Sequence, residues 1–335
     1  MDKKKNLKKL SASIIFLLMV ANLFGNSPQT KDTFKPSGKP FVKIYTNYHS
    51  NFTNGTIRNL FEVTRAYLGY KYSFSRYFSA KANLDIGNPG VGKLQMTAYL
   101  RNAYVQYKKN RLTASFGLIS TYIFSFQENH WGNRYLFKSF QDQNGFGHSA
   151  DLGIGLVYQL NALLSVDFSV LNGEGYKKIE VDSTFKYTIG VTLKPVKTLA
   201  FRVYYDYMNK QAAQQTLSFF LAYTGRRWKG GAEYNKQYNH GMSLGKDYSG
   251  YSFYGTYYFN KKINIFGRYD YISSVTMSNQ VTPWNLSKDG KEIIAGVEFT
   301  PVKGVKVSPN YQLWKPRDKA MPPVTGAYLS LEIKF

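Results

Sequence analysis

The sequence predicts an all-β chain, a transmembrane antiparallel β-barrel of about 16 strands with short turns on one rim and longer loops on the other. Three observations predict it. Segments of roughly ten residues alternate apolar and polar side chains, recur about every 20 residues and continue to the last residue. Aromatic residues make up 17% of the chain and 29 of them are Tyr, whose apolar ring and wet hydroxyl suit a membrane–water boundary. A basic and then apolar N-terminus reads as an export signal, after which no run approaches the about 18 apolar residues of a spanning helix. An exported chain that crosses a membrane without such a helix must do so as a barrel.

In chain order, Lys3, Lys4, Lys5, Lys8 and Lys9 form the basic part of a signal peptide at 1–25. An apolar stretch runs from about Ile14 to Phe24, and the small Gly25 suits cleavage. Residues 26–40, with Pro28, Pro36, Gly38 and Pro40, read as a flexible periplasmic leader, and the barrel occupies 41–335. The first five strands are expected at 41–52, 59–74, 77–87, 96–108 and 111–122. Eight more follow at 149–160, 163–173, 184–194, 198–208, 215–224, 228–238, 249–259 and 262–273, and three close the chain at 291–300, 304–314 and 325–335.

Side-chain parity justifies these strands. In the last, Ala327, Leu329, Leu331, Ile333 and Phe335 share one face, and Tyr328, Ser330, Glu332 and Lys334 the other. In 184–194, Tyr187, Ile189, Val191 and Leu193 oppose Lys186, Thr188, Gly190 and Thr192. In 198–208, Phe201, Val203 and Tyr205 oppose Arg202, Tyr204 and Asp206. A lipid-facing Lys or Arg costs about 2–4 kcal/mol at the bilayer midplane, which decides which face looks outward. At 96–108 the parity is ambiguous, because Arg101 falls with Ala103, Val105 and Tyr107. Short turns such as Ser75-Arg76, Lys109-Asn110, Asn161-Ala162 and Asn260-Lys261 alternate with longer connections, the longest at 123–148. An even strand number places both termini in the periplasm.

The polar faces then line a lumen. Its cations are Arg65, Lys71, Lys81, Lys186, Arg202, Arg268 and Lys306, and its anions Asp85, Asp151, Asp167, Asp206, Glu233, Asp270, Glu292 and Glu298. Barrels of this strand number leave an aqueous channel. The net charge of +24 resides mostly in turns and loops, where it favours anions at the mouth or phosphate-bearing headgroups and lipopolysaccharide at the rims. Bases scattered over both rims argue against nucleic acid as a partner. The 123–148 segment is too apolar for a solvated loop, since Trp131, Tyr135, Phe137 and Phe140 need a packing surface. Folded into the barrel, it would narrow the pore and place Glu128, Arg134, Lys138 and Asp142 at a constriction; packed outside, it would cap the rim.

With Phe61-Glu-Val-Thr-Arg-Ala-Tyr-Leu-Gly-Tyr70, Ser139-Phe-Gln-Asp142, Ser149-Ala-Asp-Leu-Gly153 and Asn172-Gly-Glu-Gly-Tyr176 in this order, the chain resembles porins of the Gram-negative outer membrane, including the group that contains phosphate-selective porins. The terminal Phe335 looks like the aromatic ending read by the barrel-assembly machinery. The resemblance implies a porin in the outer membrane, often a homotrimer, passing small hydrophilic solutes or anions. It transfers no phosphate site, because no dense lysine ladder marks the lumen-facing strands.

Other classes fit less well. A soluble β-sandwich shares the alternation, but not sixteen long strands after an export signal. Of the four His residues, His49, His130, His148 and His240, none sits in a nucleophile pattern, so no enzyme is expected; His148-Ser149 is a nominal pair only. The absence of Cys and of phosphate-loop, nucleotide and metal-cluster motifs implies no cofactor. A plugged transporter needs about 22 strands and a plug domain. The remaining competitor is a closed structural or secretion-partner barrel without free conductance.

Overall fold

The computed structural model describes residues 34–88, 96–181 and 183–335. The signal peptide expected at 1–25 and the first part of the leader lie outside the described residues. Sixteen antiparallel strands close into one barrel in sequence order, with the last paired to the first. They are β1 (Ser37–Thr53), β2 (Thr56–Ser73), β3 (Phe78–Gly87), β4 (Thr97–Lys109), β5 (Leu112–Ser120), β6 (Ala150–Gln159), β7 (Leu164–Leu171) and β8 (Lys186–Val196). The second half comprises β9 (Leu199–Asn209), β10 (Ala213–Thr224), β11 (Trp228–Tyr238), β12 (Tyr248–Tyr258), β13 (Ile263–Ser274), β14 (Gly290–Phe299), β15 (Val305–Pro316) and β16 (Val324–Lys334). Every expected strand is present, in the expected order.

Two boundaries depart from the sequence reading by three residues or more. The leader expected to extend to residue 40 is already strand from Ser37, and Ser37–Pro40 pair with Tyr70–Ser73 of β2. A proline on the ladder is tolerated because only its donor is missing. The β1–β2 connection is a two-residue turn, Asn54-Gly55, with φ of 48° and 74°. Asn-Gly accepts positive φ at both positions, so the hairpin closes several residues tighter than the sequence reading placed it. At the opposite rim the barrel seam is finished by Phe335, whose backbone N–H donates to Val42 at 3.2 Å and whose carbonyl accepts from Val42 at 2.8 Å.

Three register shifts interrupt the ladders; the one between Leu193 and Val196 lies at the end of β8, and the other two set the faces of β2 and β4. Between β3 and β4, Asn83 pairs with Asn102 and Leu84 with Leu100, which leaves Arg101 as the extra residue. Before it the odd-numbered residues face inward; after it the even-numbered ones do. The parity conflict at Arg101 is thereby removed, and its guanidinium avoids lipid while Leu100 and Val105 stay outside. A second bulge in β2 leaves Thr64 extra between Val63 and Arg65.

The outer surface is an apolar band, with Phe61 84% and Phe116 63% exposed. Rings mark both edges. Tyr72–Phe74 and Trp228–Tyr257 pack at the short-turn rim, with centroids 4.8 Å and 4.6 Å apart. Tyr48–Phe61 and Tyr251–Tyr271 pack toward the other rim at 4.8 Å and 5.3 Å. Polar residues fill the inside: Thr216, Asn235 and Ser252 have no exposed surface. The barrel thus inverts a soluble protein, as lipid outside and polar groups inside require.

Candidate functional site

The 123–148 segment lies against the inner wall. Its neck is clasped: the Thr121 hydroxyl donates to the His148 carbonyl at 2.7 Å, and the Thr121 N–H donates to Ser149 at 3.2 Å. Helix α1 (Tyr122–Trp131) buries Ile123, Phe124, Gln127 and Trp131. It stops at Gly132, where φ of 74° returns the N–H to the Glu128 carbonyl at 2.9 Å. A short helix, α2 (Phe140–Gln143), follows.

Trp131, Tyr135 and Leu136 form a core with the wall residues Tyr45, Tyr67, Phe220, Tyr254, Phe266 and Ile294. Phe140 and Phe146 form a second core with Tyr248 and Ile272. Hydrogen bonds fix the register. Tyr135 donates to Glu298 at 2.9 Å, Arg268 to the Lys138 carbonyl at 2.7 Å and Gln312 to the Leu136 carbonyl at 3.3 Å. The apolar side chains that sequence reading found too costly for a solvated loop are thus covered by β1, β2 and β10–β14.

Three of the four residues expected at a constriction come together. Arg134 donates to Glu128 at 3.0 Å and to Asp142 at 2.8 Å, and also to the Tyr67 hydroxyl at 3.2 Å. Burial opposes charge on this guanidinium, but Tyr67, Glu128 and Asp142 outweigh it and raise its pKa. Burial also acts against the Asp142 carboxylate, yet Arg134 and Lys138 hold it below the ordinary value. Lys138 makes no ion pair among the described residues; it contributes its carbonyl to Arg268. Burial lowers the pKa of His130, whose ring bonds the Phe126 carbonyl at 2.7 Å.

The wall residues expected in the lumen fall on the inward face, most of them as pairs. Arg65 meets Asp85 at 2.9 Å and Lys306 meets Glu298 at 2.9 Å. Arg202 grips Asp167 with two bonds of 2.6 Å and 2.9 Å, and Arg268 grips Asp270 with bonds of 2.8 Å and 2.6 Å. The first grip crosses β8 over Gly190, where a Cβ would stand 2.3 Å from the Arg202 guanidinium. Asp151 accepts from the Gly173 and Leu152 N–H groups at 2.9 Å and 2.8 Å, and Asp206 accepts from Tyr204 at 2.9 Å. Lys186 is buried near both carboxylates.

Lys71 and Lys81 differ. They are directly cross-strand and share the Phe41 ring, at 5.9 Å and 5.6 Å. Lys43 and Arg101 also bear electrostatically on Lys81. None of these four cations has an ion pair among the described residues; Lys81 bonds the Asn102 amide oxygen at 3.2 Å, and Arg101 lies over Tyr67 and Phe124 at 5.4 Å and 5.2 Å. This basic wall on β1–β4 was only half visible in the sequence, which carries no dense lysine ladder. Lys43 could have been found from its parity with Tyr45 and Asn47. Arg101 needed the bulge.

No protein-family model and no curated protein matches the sequence. Solved structures match the fold. The outer membrane channel DcaP of Acinetobacter baumannii aligns with a TM-score of 0.66 and 12% identity over 91% of this chain and 99% of its own. Salmonella typhi OmpF, solved with daunomycin, aligns with a TM-score of 0.66 and 12% identity over 89% and 97%. An anion-selective porin from Comamonas acidovorans aligns with a TM-score of 0.64 and 12% identity over 90% and 100%. With these barrels matched over nearly their whole length, the chain has the fold of an outer-membrane β-barrel.

Proposed function

We propose that this protein is an outer-membrane porin: a water-filled channel for passive diffusion of small hydrophilic solutes, with a mild preference for anions. The observation that carries the reading is the basic wall of Lys43, Lys71, Lys81 and Arg101, four cations without acidic partners among the described residues on a lumen face. A cation without an ion pair is compensated in part by water and mobile anions, which raises local anion concentration; Glu332 and Glu128 offset some of the charge on Lys43. Sixteen strands with a polar interior support an aqueous path. In this reading the Glu128–Arg134–Asp142 cluster and Lys138 set the narrowest passage, and Arg65, Lys186, Arg202, Asp206 and their partners line it. The expected signal peptide would direct export and be removed, Phe335 would be read by the assembly machinery, and the basic rims would meet lipopolysaccharide. The apolar band is compatible with a homotrimer; a trimer form of Vibrio cholerae OmpT is among the matching barrels, with a TM-score of 0.59 and 12% identity.

A non-enzymatic role is part of the proposal. His49, His130 and His240 bond the Asn47 side chain, the Phe126 carbonyl and the Gln237 side chain, so none is oriented by a carboxylate.

One observation favours the closed-barrel alternative: the 123–148 segment touches the wall on many sides, from Tyr67 on β2 to Gln312 on β15. Planar-bilayer recording of the refolded protein separates the two. Stable open steps support the porin, and a folded, membrane-inserted barrel without conductance supports the closed form.

A further inference from the structure

At the rim of long connections lies a cavity of about 690 Å³, lined in part by Phe140, Tyr248, Trp284, Glu292, Trp314 and Tyr328. We propose that this cavity binds an organic cation, an ammonium or guanidinium compound with an apolar body, using the Glu292 carboxylate as counter-charge and Trp314 as the face for its apolar part.

Glu292 is 8% exposed and has no hydrogen bond or ion pair among the described residues. A buried carboxylate in that state is costly unless a partner arrives. Its neighbours worsen the position. Directly cross-strand on β13 stands Asp270, a like charge. Arg268 is committed: its Nε and Nη2 grip Asp270, and its Nη1 donates to the Lys138 carbonyl. Asp142, also on the cavity, is taken by Arg134 at 2.8 Å. Lys288 lines the mouth but is exposed to solvent. Counted over the lining groups, two carboxylates already hold their guanidiniums and Glu292 is the acid left over.

The aromatic side is placed to match. Trp314 is directly cross-strand from Glu292 on β15, so carboxylate and indole stand side by side on one face. Gly290 makes room for that ring, since a Cβ there would sit 2.9 Å from the Trp314 Cη2. Trp284 already holds a cation of the chain itself, Lys246 Nζ at 5.9 Å, with His240 stacked on it at 5.4 Å. Trp314 packs against the core of Phe140, Phe146, Tyr248 and Ile272, and no cation of the chain lies over its ring among the described residues. A cavity of this size takes a drug-sized solute. The site is opposite in sign to the basic wall on β1–β4, so it would select a different class of solute. It also stands independently of conductance.

The test uses the full barrel refolded in detergent at low salt, with calorimetric titration of benzyltrimethylammonium as the probe and benzenesulfonate and benzyl alcohol as comparators. The expected result is saturable one-site binding of the cation alone, weakened at least tenfold in Glu292→Gln and in Trp314→Leu, and unchanged in Glu62→Gln. Trp314→Leu supplies the reading if Glu292→Gln does not refold to the heat-modifiable form. No saturable binding by the unmodified protein, equal binding of benzenesulfonate or benzyl alcohol, or full affinity in a folded Glu292→Gln or Trp314→Leu barrel overturns the assignment.

Discussion

Tyr135 donates its hydroxyl proton to the Glu298 carboxylate at 2.9 Å, joining the inserted segment to a wall residue 163 positions away. Glu298 is also held by Lys306 and by the Asn264 amide, each at 2.9 Å, so the phenol docks onto an acid that is already fixed. Tyr135→Phe keeps the packing in the insert core and removes one bond to a charged acceptor. Such bonds contribute about 1.5–3 kcal/mol, and denaturant unfolding of the refolded barrel should register a loss of that order. An unchanged midpoint contradicts this docking.

Reversing charge on the basic wall tests its role. In Lys71→Glu with Lys81→Glu, the two cations on the Phe41 ring become anions facing Lys43 and Arg101. The chloride-to-potassium permeability ratio should fall at least about threefold, because fixed charge on the wall sets the local ion concentration. A ratio unmoved by the double variant assigns selectivity elsewhere.

The bulge at Arg101 predicts an unusual tolerance. Deleting Arg101 removes the extra residue while Asn83↔Asn102 and Leu84↔Leu100 keep their faces. The deletion variant should refold to a heat-modifiable barrel and lose part of its anion preference. Failure to fold means that the bulge itself, and not only the face assignment, is required.

Acid should act on the insert late. Burial pushes the Asp142 carboxyl up, but Arg134 and Lys138 outweigh it, so its pKa in the folded protein lies below the unfolded value. The ion pair therefore stabilises fully above the ordinary carboxylate pKa of about 3.9 and is lost as pH falls through the lower folded value. Current noise from the insert should stay low from pH 7 to pH 5 and rise only below about pH 4. Asp142→Asn should be noisy throughout that range. A transition near pH 6 in the unmodified channel contradicts this assignment.

Phe335 pairs through its backbone with Val42 while its ring is 74% exposed. Phe335→Ala should then refold normally in detergent, yet accumulate poorly in the outer membrane of a producing cell, as fractionation would measure. Equal yields in the membrane remove the assembly role.

The fold was legible in the sequence because the cost of placing Lys or Arg in lipid enforces strict parity: Lys186 to Thr192 and Arg202 to Asp206 read correctly without coordinates. Parity was ambiguous where the backbone inserts a residue at Arg101, since the bulge that resolves it leaves no composition signal. The docking of 123–148 was foreshadowed by its surplus of rings. Its partners were not, because Tyr67, Phe220, Tyr254 and Glu298 belong to strands far apart in sequence. For the same reason the bidentate grips of Arg202 on Asp167 and Arg268 on Asp270 were visible only as lists of inward charges.

The reversal potential of single refolded barrels under a KCl gradient bears on the porin and on its basic wall together. Stable open steps are expected, with a potential of the sign set by chloride passing more readily than potassium. Open steps with potassium preferred would contradict the role given to Lys43, Lys71, Lys81 and Arg101, and inserted barrels that never open would contradict the porin itself.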